Sequence, residues 1–210
     1  MFRAITPYKK WWTSQASIKV GEDDEFLELA YKSGYRHLFI GFESISQVSL
    51  DGANKSFNQV ERYQEIIRRI HSHGISIQAG IVFGFDNDTP DVFDKTIAFL
   101  RDNGISQATF NVLTPYPGTP LFERLKAQGR ILTEDWSKYN SRTDAVFQPI
   151  NMTQEELLAG YTRVNREFYR LGNIFSRLFR SRTNLYWTLP LNLVYHLLLR
   201  FDKRKSNVSG

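Results

Sequence analysis

No cysteine occurs anywhere in the chain. Its absence excludes a disulfide framework, a thiolate zinc site, a cysteine nucleophile and an iron–sulfur cluster held by this polypeptide's own thiolates. Histidine is nearly as scarce: His37, His71, His73 and His196 are the whole set, in no familiar zinc-ligand spacing. The opening run, MFRAITPYKKWW, has no apolar stretch of the kind a secretory signal needs, so a cytoplasmic setting is expected. Apolar runs long enough to cross a bilayer are also missing. The best stretch, Leu185–Leu199, is broken by Pro190, Asn192 and His196 and is too short. What is present is 210 residues that are 41% hydrophobic and 14% aromatic, enough to bury a core and to exclude global disorder.

The net charge of +5 is an uneven average. From Arg170 onward there are eight Lys/Arg against one acid, Asp202, which leaves 19 bases and 21 acids before that point. The body is therefore nearly neutral and the tail strongly basic. A nucleic-acid groove would need basic residues spread over the body, so no nucleic-acid partner is expected.

Hydrophobic periodicity orders the chain as alternating strands and helices. Residues 12–20 read as a strand ended by Gly21, and Asp23 and Asp24 cap a helix that Gly34 terminates. Arg36–Phe42 is a second strand, followed by a polar loop from Gln47 to Asn58 and a helix from Val60 to His73. Ser76–Phe83 is a third strand, after which Thr89 is placed as an N-cap with Pro90 at the first helical position. Gln107–Leu113 is a fourth strand, and a helix starts near Thr119-Pro120. Thr153-Gln154-Glu155-Glu156 reads as a capping box opening a helix to about Tyr169. With no hairpin signal between them, such strands are parallel and joined by right-handed crossovers. The expected fold is α/β: a partial parallel (β/α) barrel of about four βα units over residues 1–150, with a helical extension and basic tail over 151–210.

In parallel α/β folds chemistry collects at the C-terminal ends of the strands. Gln15 and Ser17, Glu43 and Ser44, Gly84, Asp86 and Asp88, and Asn111, Thr114 and Tyr116 fall there. Glu43 and Ser44 suit a ribose or a polar substrate tail, and equally suit the loop's own amides. Asp86 and Asp88 precede Thr89-Pro90, where Asx turns and caps outweigh a metal reading. His71 and His73 end a helix, where a cation complements the dipole. Gly80 and Gly84 signal a close backbone approach, by a ligand or by another element. Thr114-Pro115-Tyr116-Pro117-Gly118-Thr119-Pro120 is a stiff turn able to hold strand-end groups against a flat ring.

Taken in order, WTSQASI, FIGFESIS, Asn54-Lys55, HGISIQAGIVFGFDNDTPDVF, FNVLTPYPGTPLFERL, GRI and DWSKY resemble one family. They look like the second half of the catalytic barrel of radical S-adenosylmethionine enzymes, in the branch that usually carries an N-terminal cobalamin-binding domain. The resemblance runs over about residues 11–170 and implies strands three to six of a partial (β/α)6 barrel. It implies that Glu43 and Ser44 contact the ribose of S-adenosylmethionine. Gly80, Val82 and Gly84 would lie on a GxIxG-like motif against adenine, and Leu113, Thr114, Pro115 and Tyr116 would offer backbone contacts to the adenine edge. Gln15 and Ser17 would face the barrel interior, and Lys55 would pair with the methionyl carboxylate.

One departure outweighs these matches. The family binds a 4Fe–4S cluster through CxxxCxxC, and this chain has no cysteine. The cluster and cobalamin are thus expected of the full-length family and not of this chain alone. Two functional readings stand. One is a fragment of a cobalamin-type radical S-adenosylmethionine enzyme, active in methyl transfer or a related rearrangement but inert by itself. The other is a non-catalytic nucleotide-binding or protein-docking remnant. A second chain supplying the N-terminal half of the barrel is an expected partner, since the first strand would lie at an open, self-associating edge. Residues 173–205 read either as an interfacial helix at the inner face of a membrane or as a terminal helix with a solvated basic end.

Overall fold

The computed structural model describes residues 1–52, 55 and 58–206. Asn54, part of the Asn54-Lys55 pair, lies outside the described residues. Among them a single sheet holds β1 (Trp12–Gln15), β2 (Tyr35–Glu43), β3 (Ser76–Phe83) and β4 (Gln107–Val112). Their order in space is their order in sequence, and every neighbouring pair is parallel. Nine α-helices are described: α1 (Phe2–Ile5), α2 (Asp24–Lys32), α3 (Gln47–Gly52), α4 (Tyr63–Ser72), α5 (Val92–Asp102), α6 (Pro120–Ala127), α7 (Gln154–Phe168), α8 (Leu171–Ser181) and α9 (Leu185–Ser206). Sequential parallel strands with right-handed crossovers put the connecting helices on one face, as in a barrel wall. The fold is therefore the expected partial parallel barrel.

Strand alternation sorts the two faces. Leu38, Ile40 and Phe42 on β2, and Ile77, Ala79, Ile81 and Phe83 on β3, are buried on the helix side. There Phe42 meets Tyr63 edge-on at 4.9 Å, and Phe83 meets Phe93 at 4.9 Å. The opposite face is more polar. Gln78 donates to Thr109 Oγ1 at 2.9 Å, and its Oε1 lies 3.3 Å from His37 Nε2. Gly80 faces the same way, and a Cβ there would sit 2.8 Å from the Phe39 ring. The close approach at Gly80 is thus made by a neighbouring strand's side chain.

Local signals explain most boundaries. Asp23 accepts from Phe26 N at 2.9 Å and Thr119 accepts from Phe122 N at 3.3 Å, each satisfying a first-turn amide. Thr153 and Glu156 exchange both bonds of a capping box, at 3.1 and 2.8 Å. Two boundaries differ from expectation. The first strand does not reach residue 20: it ends at Gln15, and Ser17 caps a 3₁₀ turn, Ile18–Glu22, by accepting from Lys19 N at 3.4 Å. Burial of Ile18 and the close packing of Gly21 on α4, where a Cβ would lie 2.4 Å from the Ile66 side chain, make that turn. Thr89 is not the cap of α5 either; the N-cap is Asp91, while the Thr89 carbonyl accepts from Val92 N at 2.9 Å in the preceding turn.

The helices after residue 150 share the core of the sheet: Leu157, Val164 and Phe168 are buried in the same cluster as the strands. Tyr169 donates to the Ala108 carbonyl at 3.0 Å. α9 runs along the N-terminal ends of the strands, where Asn184 donates to the carbonyls of Arg36 (2.7 Å) and Gly74 (2.9 Å) and Asn192 to that of Ser106 (3.0 Å). No described helix is long and apolar enough to cross a membrane.

Candidate functional site

At the other end of the sheet, past the C-terminal ends of β2, β3 and β4, lies a cavity of about 660 Å³. Four of the residues that the resemblance assigned to a cofactor line it, Glu43, Lys55, Val82 and Leu113, together with Asp86 and the Thr119-Pro120 end of the stiff turn. Val82 and Leu113 come from adjacent strand ends and give an apolar floor. Glu43 and Lys55 stand side by side on its wall, with Nζ and Oε1 3.8 Å apart. Both side chains are partly exposed, so this pairing is weak and open to competition by a ligand.

The placement of Glu43 is a product of strain and bracing. The pairing of β2 with β3 slips between Gly41 and Glu43, and Glu43 takes φ 64°, a region L-residues avoid. Ser44 N donates back to the Phe42 carbonyl at 2.8 Å, closing a γ-turn on Glu43. The same carbonyl accepts from Tyr63 Oη at 3.1 Å and Asn58 Nδ2 at 3.3 Å. Three donors on one oxygen over-determine the turn, as such a backbone needs. Glycine at 41 leaves the Glu43 carboxylate its present position, since a Cβ there would lie 2.8 Å from Oε1 and push it aside. The bulge, the turn and the missing Cβ together aim the carboxylate into the cavity. Burial, reinforced by the Glu43 charge, raises the Tyr63 phenol well above its ordinary value, so Tyr63 stays a neutral donor.

The remaining residues assigned by the resemblance stand aside from the cavity wall. Ser44 is buried and accepts from Ser46 N at 3.0 Å, which is the loop-amide role. Gly84, at φ 104°, donates to Asp88 Oδ2 at 3.0 Å. Leu113 spends its amide on the Phe83 carbonyl (2.8 Å), Thr114 donates to the Val112 carbonyl (3.0 Å), and Tyr116 Oη bonds Ser141 (3.0 Å). The buried Pro115 has no amide to offer. Of the Leu113–Tyr116 run, only the Leu113 side chain reaches the cavity. Gln15 and Ser17 are exposed on the edge strand and the turn after it, so Ser17 is not an inward strand residue.

Sequence reasoning missed several wall residues: Ser49, Asn87, Leu121 and Arg124. Ser49 is tied in by donating to Asp88 Oδ1 at 3.0 Å, while Asp88 also accepts from the amides of Gly84 and Phe85. Desolvation raises the Asp88 carboxyl and those bonds oppose it. Asp86 lies 2.7 Å from Arg130 and 3.4 Å from Arg124. Both aspartates are thus structural, and among the described residues no group of three His, Cys, Asp or Glu could hold a metal ion. With no cysteine in the chain, the residues present do not fit a 4Fe–4S cluster.

At the end of α4 the two histidines diverge. His73 Nδ1 donates to the Arg69 carbonyl at 2.9 Å and its Nε2 lies 3.8 Å from Asp24, so the ring is held at the helix end. His71 differs. Its Nε2 is buried with no partner, and desolvation pushes the imidazole down to about 4, so it is neutral.

Comparison with known proteins places this geometry. Over 193 residues, 92% of the chain, the sequence is 34% identical to the bacteriochlorophyllide d C-12(1)-methyltransferase of Chlorobaculum tepidum, of which it covers 41%. It is 32% identical over 173 residues to the anaerobic magnesium-protoporphyrin IX monomethyl ester cyclase of Cereibacter sphaeroides, covering 82% of the chain and 28% of that protein. The chain thus spans less than half the length of these relatives. Residues 119–192 match a family described as Domain of unknown function (DUF4070). Among solved structures, the radical S-adenosylmethionine methyltransferase TsrM of Kitasatospora setae, with cobalamin and a 4Fe–4S cluster bound, shares the fold. The TM-score is 0.54 at 18% identity, over 78% of this chain and 34% of that one. In sequence this chain is therefore related to that methyltransferase and that cyclase, and its fold is that of part of the radical S-adenosylmethionine methyltransferase TsrM.

Proposed function

We propose that this chain supplies the ribose- and adenine-facing half of an S-adenosylmethionine site that serves radical methyl transfer or a related rearrangement. The observation that supports the reading is the strained, triply braced Glu43 at the rim of a cavity floored by Val82 and Leu113. A carboxylate that only accepts hydrogen bonds matches the two hydroxyls of a ribose, and a flat apolar floor matches an adenine. Lys55, 3.8 Å from Glu43, is a cation within reach of the methionyl carboxylate. The iron–sulfur and cobalamin chemistry of the whole protein belongs to residues outside this sequence, and a second polypeptide segment completing the barrel is the partner that edge strand β1 would take. The polypeptide alone is therefore inert as a catalyst.

The test is calorimetric titration with S-adenosylmethionine. Wild type should bind, and Glu43→Gln should weaken binding by about tenfold, the loss of one charge-assisted hydrogen bond. Absence of binding, or an affinity indifferent to Glu43→Gln, refutes the assignment. Formation of 5′-deoxyadenosine by this polypeptide, reconstituted with iron and sulfide, would show that it is not inert alone.

A further inference from the structure

A second cavity, of about 330 Å³, lies far from the strand C-termini, between the end of α7 and α9. Arg166, Arg170, Arg200 and His196 line it, with Tyr169 and Leu199 as its apolar wall. Glu167 also borders it, but its carboxylate lies 3.8 Å from Arg163. Among the described residues, no carboxylate lies within ion-pair distance of Arg166, Arg170 or Arg200. Three exposed guanidinium groups around one depression concentrate positive charge where an anion could sit. The walls are well fixed: His196 Nδ1 donates to the Tyr169 carbonyl at 2.8 Å, and the Tyr169 ring stacks on Tyr195 with centroids 4.9 Å apart.

Guanidinium forks match the oxygens of a phosphate ester in number and geometry. A free phosphate ester would need the pocket alone, yet the pocket has an apolar border. On α9 the residues Val194, Leu197 and Leu198 are 50%, 51% and 56% exposed, and at 100° per residue they share one side of the helix. Arg200 follows Leu197 by three positions and so flanks that side. Leu171, directly after Arg170, is 41% exposed and begins a stripe continued by Phe175 and Phe179 at i+4 and i+8 on α8. Exposed apolar side chains beside this arginine cluster, in a tail of eight Lys/Arg against one acid, complement an anionic lipid surface in both charge and polarity.

We propose that the Arg166–Arg170–Arg200 pocket binds the phosphate headgroup of an anionic phospholipid, with the exposed residues of α9 and α8 lying in the bilayer interface. The test uses the full chain with vesicles of phosphatidylcholine, alone or mixed with phosphatidylglycerol, in flotation. Wild type should float with the mixed vesicles, be released by high salt, and ignore the neutral ones. Each arginine near an anionic surface is worth roughly a fivefold change in partitioning, so the triple variant R166Q/R170Q/R200Q should fall by about 100-fold. Leu197→Asp with Leu198→Asp should abolish flotation while leaving the circular dichroism spectrum unchanged. Should the triple variant fail to fold, Arg200→Gln alone, with its fivefold fall, decides the matter. No flotation of wild type, or flotation indifferent to the arginines, refutes the proposal. Binding of inorganic phosphate at the pocket without vesicle binding would also refute it, as a site for soluble phosphate esters.

Discussion

His71 lies in the last turn of α4 with a buried, unpartnered Nε2, and it gives the fold a calculable acid sensitivity. Burial lowers the imidazole from 6.5 to about 4. A group whose protonated form is disfavoured in the folded state binds more protons unfolded, so stability rises with pH between the two values and is lost as pH falls through them. The full separation corresponds to about 3 kcal/mol, at 1.36 kcal/mol per unit. Most of the loss is reached before the carboxylates titrate: from pH 7 to pH 5 the linkage relation gives about 2 kcal/mol. Urea unfolding of wild type and His71→Leu at those two pH values isolates the effect. His37, lowered by desolvation in the same sense, contributes to both proteins and cancels in the comparison. Wild type should lose about 2 kcal/mol more than the variant on going to pH 5. Equal losses in the two proteins would mean that the ring is solvated or charged, and the reasoning from its buried nitrogen would fail.

Two further substitutions probe the helical half. Gly160→Ala on α7 puts a methyl 2.1 to 2.5 Å from ring atoms of Phe93 on α5 and should destabilise by about 1–3 kcal/mol, read as a lowered Tm; an unchanged Tm would show that the two helices are loosely packed. Arg177 is wholly buried, stacked 3.8 Å over Phe168 and bonded to Asn192, with Nε and Nη1 unpartnered, and burial lowers its guanidinium to about 9. Arg177→Met trades that desolvation cost for one orphaned amide oxygen, so stability should stay within about 1 kcal/mol of wild type or rise; a loss above about 3 kcal/mol in urea unfolding would show that the charge is well compensated.

The sheet was legible because its signals are local. β3 runs from Ser76 to Phe83 as its apolar run and flanking glycine imply, and the capping residues Asp23, Thr119 and Thr153 act where they stand. Errors arose where a distant partner overrides a local preference. Thr89-Pro90 has the form of a helix start, yet α5 begins only at Val92, with Asp91, two residues after Thr89, in the N-cap position. Residues 16–20 could extend a strand, but Ile18 and Gly21 gain more by burying against α4 as a 3₁₀ turn. His71 reads as a cation at a helix end until the fold covers it. Lys55, assigned to a ligand by resemblance, stands at the cavity beside Glu43.

Glu43 shows why a site is harder to read than a strand. Nothing in FIGFES marks residue 43 as left-handed; a bulky acid there is locally unfavourable. The conformation exists because Asn58 and Tyr63, 15 and 20 residues later, converge on the Phe42 carbonyl, while the missing Cβ at residue 41 leaves room for Oε1. Such a turn costs about 1–3 kcal/mol, and a fold keeps it only where hydrogen bonds from elsewhere offset that cost. Asn58 and Tyr63 do not line the cavity, so a search for cavity-lining or charged residues passes over them. Their part is positional: they hold one backbone oxygen, and thereby the carboxylate one residue further on. The ligand-facing group and the groups that aim it sit on different elements, β2 on one side and the α3–α4 connection and α4 on the other. Packing α4 against β2 is therefore what builds this corner of the site, and the buried aromatic contact between Phe42 and Tyr63 serves the core and the carboxylate at once.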